Sequence, residues 1–140
     1  MNIDHDVLDK LGRRLGFRVL DGESAPFIAA VATFLRDPAG DIPIYVWQDD
    51  GQRHVIVVEE GRLIHVWAHD HSASGRVVSA DKVLAVEAVT LNADDWGGNL
   101  EWQVLGWRIT LVGETLELHA DAGRKADQLA EVVRQLRPLF

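Results

Sequence analysis

The apolar residues of this chain change their period at Ile42. Up to that point they recur at helical intervals. From Ile42 to His119 they alternate or form short runs, and a single amphipathic stretch then closes the chain. Side chains two apart share a face of a strand, whereas those three or four apart share a face of a helix, so this switch separates a helical segment from a sheet-forming one. Turn residues punctuate the sheet region at Asp49-Asp50-Gly51, Glu60-Gly61, Asp70 to Gly75, Asn92 to Asn99 and Gly113. The strands read as Ile42 to Gln48, Arg53 to Glu59, Arg62 to His69, Arg76 to Ser79, Val83 to Leu91, Leu100 to Leu105, Trp107 to Val112 and Thr115 to Ala120. The linkers are short enough for hairpins and lack the long crossovers that parallel pairing requires, so the expectation is an antiparallel meander. The closing helix, Gly123 to about Arg137, gathers Ala126, Leu129, Ala130, Val133 and Leu136 on one face, which must cover something apolar.

Two helices are expected before the strands. The first opens at Asp4, carries Val7, Leu8, Leu11 and Leu15 along one face, and stops at Gly16. A brief extended piece, Phe17 to Leu20, follows. Ser24 then caps a second helix with Pro26 in its first turn and Phe27, Ile28, Val31, Phe34 and Leu35 at helical spacing, ended by Asp37-Pro38-Ala39-Gly40. A helical pair this short cannot bury its apolar faces alone, so residues 1–41 read as an extension packed on the sheet domain, residues 42–140.

Composition narrows the function classes. The chain has 140 residues, 47% of them hydrophobic, and a formal charge of -8, which opposes nonspecific attraction to nucleic acid or anionic lipid. It has no cysteine, which removes disulfides, thiolate metal sites and Cys nucleophiles and fits a cytoplasmic location. The start lacks a basic and apolar leader pattern, and the longest near-apolar stretch, Ala25 to Leu35, is too short to span a bilayer, so neither secretion nor membrane insertion is expected. Residues 41–100 hold ten acids against Arg53, Arg62, Arg76 and Lys82, while the last helix is mildly basic.

Three stretches resemble the pleckstrin-homology-like superfold, particularly its small bacterial domains. They are the hairpin Arg53-His54-Val55-Ile56-Val57-Val58-Glu59-Glu60-Gly61-Arg62-Leu63-Ile64-His65-Val66, the strand Ser79 to Val89 with its Lys82-Val83-Leu84-Ala85-Val86-Glu87 run, and Trp107-Arg108-Ile109-Thr110-Leu111 leading through Leu116-Glu117-Leu118 to the last helix. The resemblance spans roughly residues 42–140. It implies an α+β, mainly β fold: a PH-like antiparallel β-barrel or sandwich capped by the C-terminal amphipathic helix, with the N-terminal helices added. It also implies a noncatalytic role in binding phosphoinositides, peptides or proteins, or in self-assembly. This sequence departs from the lipid-binding pattern, because its first hairpin turn reads Gln48-Asp49-Asp50-Gly51-Gln52, where two acids would repel a phosphorylated headgroup. The helix tryptophan of many relatives is also missing, since all five tryptophans precede residue 108. Phosphoinositide binding is therefore disfavoured, and no lipid-binding residue is assigned.

The candidate binding residues come from strand alternation. In Arg62 to His69, Ile64, Val66 and Ala68 fit an inward face, leaving His65, Trp67 and His69 on the other, and Tyr45 and Trp47 join that face if Ile44 and Val46 point inward. The N-terminal helices can bury such a face within the monomer, or a partner can. Trp96, in the acidic segment Asp94-Asp95-Trp96-Gly97-Gly98-Asn99, is a further binding candidate on a loop tip. His69-Asp70-His71 has the donor types for a metal, with His65, His119 or Asp121 as further ligands, but strand ends commonly carry such residues and no metal or cofactor is expected. No phosphate loop, zincin motif or nucleophile elbow occurs, so no catalytic residue is assigned and an enzyme is not expected. The leading expectation is a cytoplasmic bacterial interaction module that binds a protein partner or itself. The alternative is a small α+β chaperone-like protein holding an extended client, which would need a helix between Ser79 and Leu91. A metal-dependent activity at His69 and His71 comes third.

Overall fold

A computed structural model describes residues 4–17, 24–69, 72–96 and 99–136, with side chains described for all of these but 94–101. Helices α1 (His5–Arg14) and α2 (Ala25–Phe34) precede strands β1 (Ile44–Asp49), β2 (Gln52–Glu59), β3 (Arg62–His69) and β4 (Ser72–Ser79). A turn of 3-10 helix at Ala80–Lys82 leads to β5 (Val83–Trp96), β6 (Asn99–Leu111) and β7 (Glu114–His119), and helix α3 (Arg124–Arg134) follows. The fold is mainly β, with every strand pairing antiparallel. The strands form one sheet in the order β1-β2-β3-β4 and a second in the order β5-β6-β7. Among the described residues they do not close into a barrel. The chain leaves the first sheet through the 3-10 turn, and no ladder among those residues joins an edge of one sheet to an edge of the other.

Two hairpin turns set the register of the first sheet. Asp50 and Gly51 have φ of 50° and 75°, and Glu60 and Gly61 have 48° and 75°. Two consecutive residues with positive φ make the turn whose twist matches a tight hairpin. Asp49 therefore pairs with Gln52 and Glu59 with Arg62, with no slack in either connection.

This sheet is covered on both faces. Val55, Val57, Ile64 and Val66 lie under Leu11, Leu15, Phe27, Ile28 and Val31 of the helical pair. Ile56, Val58 and Leu63 face the other way, into a core shared with Trp107, Ile109 and Leu118 of the second sheet and Leu129, Val132 and Val133 of α3. That is why β2 reads Val55-Ile56-Val57-Val58 without a polar break: a strand buried on both faces has no side left for water. Each such side chain contributes roughly 1.5–3 kcal/mol on burial.

Several boundaries differ from the sequence reading. β4 begins at Ser72, because Ser72 to Gly75 pair with Val66 to His69 despite their turn-like composition. Gly75 is required there, since a Cβ would run into the Phe34 ring that α2 lays across β4. Leu100 to Leu105 and Trp107 to Val112 are parts of one strand, β6, carried past Gly106 by a register shift opposite Thr90. A Cβ at Gly106 would stand 2.8 Å from His119 Nδ1, so this glycine permits close packing and does not end the strand. Asp94 to Trp96 and Asn99 are paired strand residues and not a loop, and residues 97–98 lie outside the description. Val83 to Trp96 is strand, where the chaperone-like reading needed a helix. Asp4 caps α1 by accepting from Asp6 N at 2.8 Å, as the sequence suggests, whereas Ser24 occupies the α2 N-cap without a side-chain cap bond. Arg18 to Leu20 and Arg137 lie outside the described residues, as do Asp70 and His71. Among the described residues no helix is long and apolar enough to cross a membrane.

The helical pair is fastened to the sheet by polar contacts as well as packing. Arg14 donates to the carbonyls of Gly40 and Ile42, and Lys10 to that of Ala39 at 2.9 Å. Glu59, only 5% exposed, accepts from the backbone N–H groups of Arg36 at 2.8 Å and Asp37 at 3.1 Å and from Arg62 at 2.6 Å. Arg62 also donates to the carbonyl of Phe34 at 3.1 Å. Burial alone would raise the Glu59 carboxyl, but these donors outweigh it and hold the group below the ordinary glutamate range. Folding therefore favours the ionised form. Its stabilisation is complete above the usual carboxylate pKa and is lost as pH falls through the lowered folded value. Removing this acceptor takes away the counter-charge of the Arg62 guanidinium and leaves two N–H groups unmatched, so Glu59→Ala is expected to cost about 3 kcal/mol in chemical denaturation and to blunt the acid transition.

Candidate functional site

The alternation of β1, β2 and β3 places a set of rings on the face turned away from α1 and α2. Trp47, His54 and Trp67 occupy one cross-strand row, and Tyr45, Ile56, His65 and Arg76 the next. The N-terminal helices therefore do not cover this face. They lie over the aliphatic face opposite, and the aromatic set extends the inter-sheet core toward solvent. Tyr45 is buried, while Trp47, His54, His65, Trp67 and His69 are half-buried.

His54 Nδ1 and His65 Nε2 are 3.0 Å apart, as diagonal neighbours on adjacent strands. Their ring centroids are 5.3 Å apart and their planes differ by 20°. Two ring radii plus the 3.0 Å bond account for that separation, so the imidazoles meet edge to edge in nearly one plane and share one proton. Trp47 lies nearly parallel to both, at 5.0 Å from His54 and 5.6 Å from His65. Tyr45 continues the row at 5.8 Å from Trp47, and Trp67 stands 4.9 Å from His65 with its plane tilted 44°. His69 meets Trp67 edge-on at 6.1 Å.

His65 Nδ1 is buried and has no hydrogen-bond partner among the described residues. A bare lone pair there costs less than an unmatched N–H, which favours the tautomer in which His65 Nε2–H donates to His54 Nδ1. Burial first, then the adjacent His54 and Arg76, push the His65 pKa down to about 4. Burial also lowers His54, with Asp49 acting in the opposite sense and His69 adding to the lowering. Arg76 is held in an ion pair with Glu114, so the row is tied to the second sheet beside His65. At neutral pH the pair is thus uncharged and offers ring faces, ring edges and hydrogen bonds.

Clefts flank the rings. One of about 520 Å³ is bordered by Tyr45, Trp47, Arg53, His119, Asp121 and Lys125, and another of about 460 Å³ by Phe17, Phe27, Gln52, Arg53 and His69. Arg53 divides them, its guanidinium 4.2 Å from the Phe17 ring centre. Tyr45 donates its hydroxyl to the carbonyl of His119 at 2.9 Å, and burial, with Asp121 nearby, raises its pKa.

The structure thus brings together Tyr45, Trp47, His65, Trp67 and His69 from the sequence candidates. Trp96 is placed by its backbone at the far end of β5, paired with Asn99. No group of three or more His, Asp or Glu residues able to hold a metal occurs among the described residues, and His71 falls outside them. Sequence reasoning missed His54 and Arg76. The signal was present, because two-residue turns at Asp50-Gly51 and Glu60-Gly61 fix His54 opposite Trp47 and Trp67 by counting alone. Comparison with known proteins found no matching family model, no matching curated protein and no matching solved structure.

The unfolded chain binds a proton at His65 near pH 6.5, while the folded protein resists it until about pH 4. Stability from this group is therefore full above about pH 6.5 and declines as pH falls toward 4. Histidine proton resonances followed by NMR should show His65 titrating near pH 4, and His65→Leu should flatten this part of the stability profile.

Proposed function

We propose that the chain is a noncatalytic interaction module of the PH-like kind, acting in the bacterial cytoplasm, that binds protein partners or copies of itself. In this reading residues 42–140 form the PH-like domain, and residues 1–41 are a helical extension that braces it. The division into four and three antiparallel strands with a following helix supports the fold assignment. The observation that carries the binding role is the half-buried ring row at Trp47, His54, His65 and Trp67, flanked by clefts and left uncovered by the protein's own N-terminal helices. Such a surface suits a protein segment that brings apolar and hydrogen-bonding groups together, since aromatic residues are enriched in buried interface cores. The acidic turn at Asp49 and Asp50 argues against a phosphoinositide ligand.

Affinity capture from a native lysate, run in parallel with the wild-type chain and with Trp67→Ala and His54→Ala variants of unchanged circular dichroism, tests this. The expected result is a discrete partner retained by the wild type and lost from both variants. If capture is the same for all three proteins, the ring row is not the binding surface. Co-sedimentation with phosphoinositide vesicles at low salt is expected to show no binding.

A further inference from the structure

The first sheet ends on a strand with one open edge. β1 pairs with β2 and with no other strand among the described residues. The tight turn at Asp50-Gly51 makes Asp49 and Gln52 a hydrogen-bonded pair. Such pairs alternate along an antiparallel ladder, so Trp47–His54 and Tyr45–Ile56 are hydrogen-bonded as well. Val46 and Gln48 lie in the pairs between, and their N–H and C=O groups point away from β2. Both residues border the cleft of about 520 Å³, and no backbone outside the sheet bonds to either among the described residues. The far wall of the cleft runs from His119 to Asp121 and is held to β1 by the Tyr45 hydroxyl. Just before β1 the chain is already occupied, because Arg14 takes the Ile42 carbonyl. The open part of the edge is the part that faces the cleft.

A row of unpaired N–H and C=O groups is a template for another strand, with main-chain pairing giving affinity and alternate side chains giving selectivity. The side chains around this edge say which strand. Arg53 stands on the helix side, cross-strand from Gln48, with its guanidinium over the Phe17 ring. Lys125 stands on the ring side, its ammonium 6.0 Å from the centre of the Tyr45 ring. Both border the cleft, and neither is in ion-pair contact with a carboxylate among the described residues. Asp121 in the far wall and Asp50 in the turn are the acids nearby, and they leave both cations unpaired. Successive side chains of a strand point to opposite faces, so two adjacent carboxylates on an added strand reach Arg53 on one side and Lys125 on the other.

We propose that β1 takes up a strand from a partner protein: an extended segment with two adjacent acidic residues, hydrogen-bonded to Val46 and Gln48, with one carboxylate toward Arg53 and the next toward Lys125. The ring-side residues of that strand also meet Trp47, which makes the edge continuous with the ring row. This deepens the interaction-module reading by giving the partner's conformation and charge, and it rests on that reading.

Selection of random linear peptides displayed on phage against the full chain, followed by NMR and amide hydrogen exchange with the tightest peptide, tests it. The expected binders carry adjacent Asp or Glu residues, and their binding slows exchange at the Val46 and Gln48 amides and weakens with added salt. Gln48→Pro removes a donor that the β1–β2 ladder does not use, at an edge position where proline is tolerated. It should weaken binding about ten-fold or more while leaving circular dichroism unchanged. Arg53→Glu and Lys125→Glu should each weaken binding about as much through side chains alone, which keeps the test decisive if the proline variant loosens the turn. A library without adjacent-acid binders, binders whose contacts map away from β1, or an affinity indifferent to Gln48→Pro and both charge reversals overturns the proposal. If a partner that depends on Trp67 is still held by Gln48→Pro, the ring row remains the binding surface and only strand addition falls. If peptides pair with β1 yet no partner depends on Trp67 or His54, strand addition stands and the ring row loses its role.

Discussion

Everything in this fold is organised around a sheet that is buried twice. In β2 and β3, successive residues alternate between the helical pair on one side and the inter-sheet core on the other, so neither layer can form without the same backbone being in register. The aliphatic members, Val55, Val57, Ile64 and Val66, seat α1 and α2. Ile56, Val58 and Leu63 seat the second sheet and α3. Glu59 then joins the layers at the end of β2, because it receives the backbone leaving α2 while it pairs with Arg62 at the start of β3. Its burial is tolerable because its donors come from the peptide backbone and a guanidinium.

The same alternation explains why the ring row sits where it does. The helices took the face made of Val and Ile, against which Leu11, Phe27 and Ile28 pack. Indole and imidazole edges need hydrogen-bonding neighbours, so they lie toward the mouth between the sheets, where His54 satisfies His65 and His119 accepts from Tyr45. Among the described residues, one His65 nitrogen is buried and unmatched at that mouth. A buried nitrogen that goes unused inside a monomer is a cost to the fold, and sites that bind something are where such costs are tolerated.

Much of this was legible in the sequence, and the failures have physical causes. Alternation in Arg62 to His69 separated the Val66 side from the Trp67 side correctly, because burial on two faces leaves each face chemically uniform. It could not say which face the helices would take, since both are apolar enough to be covered. Gly106 and the Asn92 to Trp96 stretch look like chain breaks by composition, yet backbone pairing carries β6 past Gly106, opposite Thr90, and β5 as far as Trp96. Whether the strands close into a barrel depends on contacts between edges far apart in sequence, which local pattern does not encode.

The two turns of the first sheet carry a consequence for how this protein can change over evolutionary time. Each has two residues with positive φ and no spare length. Adding or deleting one residue in either would shift the adjoining strand by a single step and exchange its faces, handing rings to the helices and aliphatic groups to the mouth. The ring chemistry of this face can therefore drift by replacement at fixed positions such as His54, but not by lengthening the hairpins that carry it.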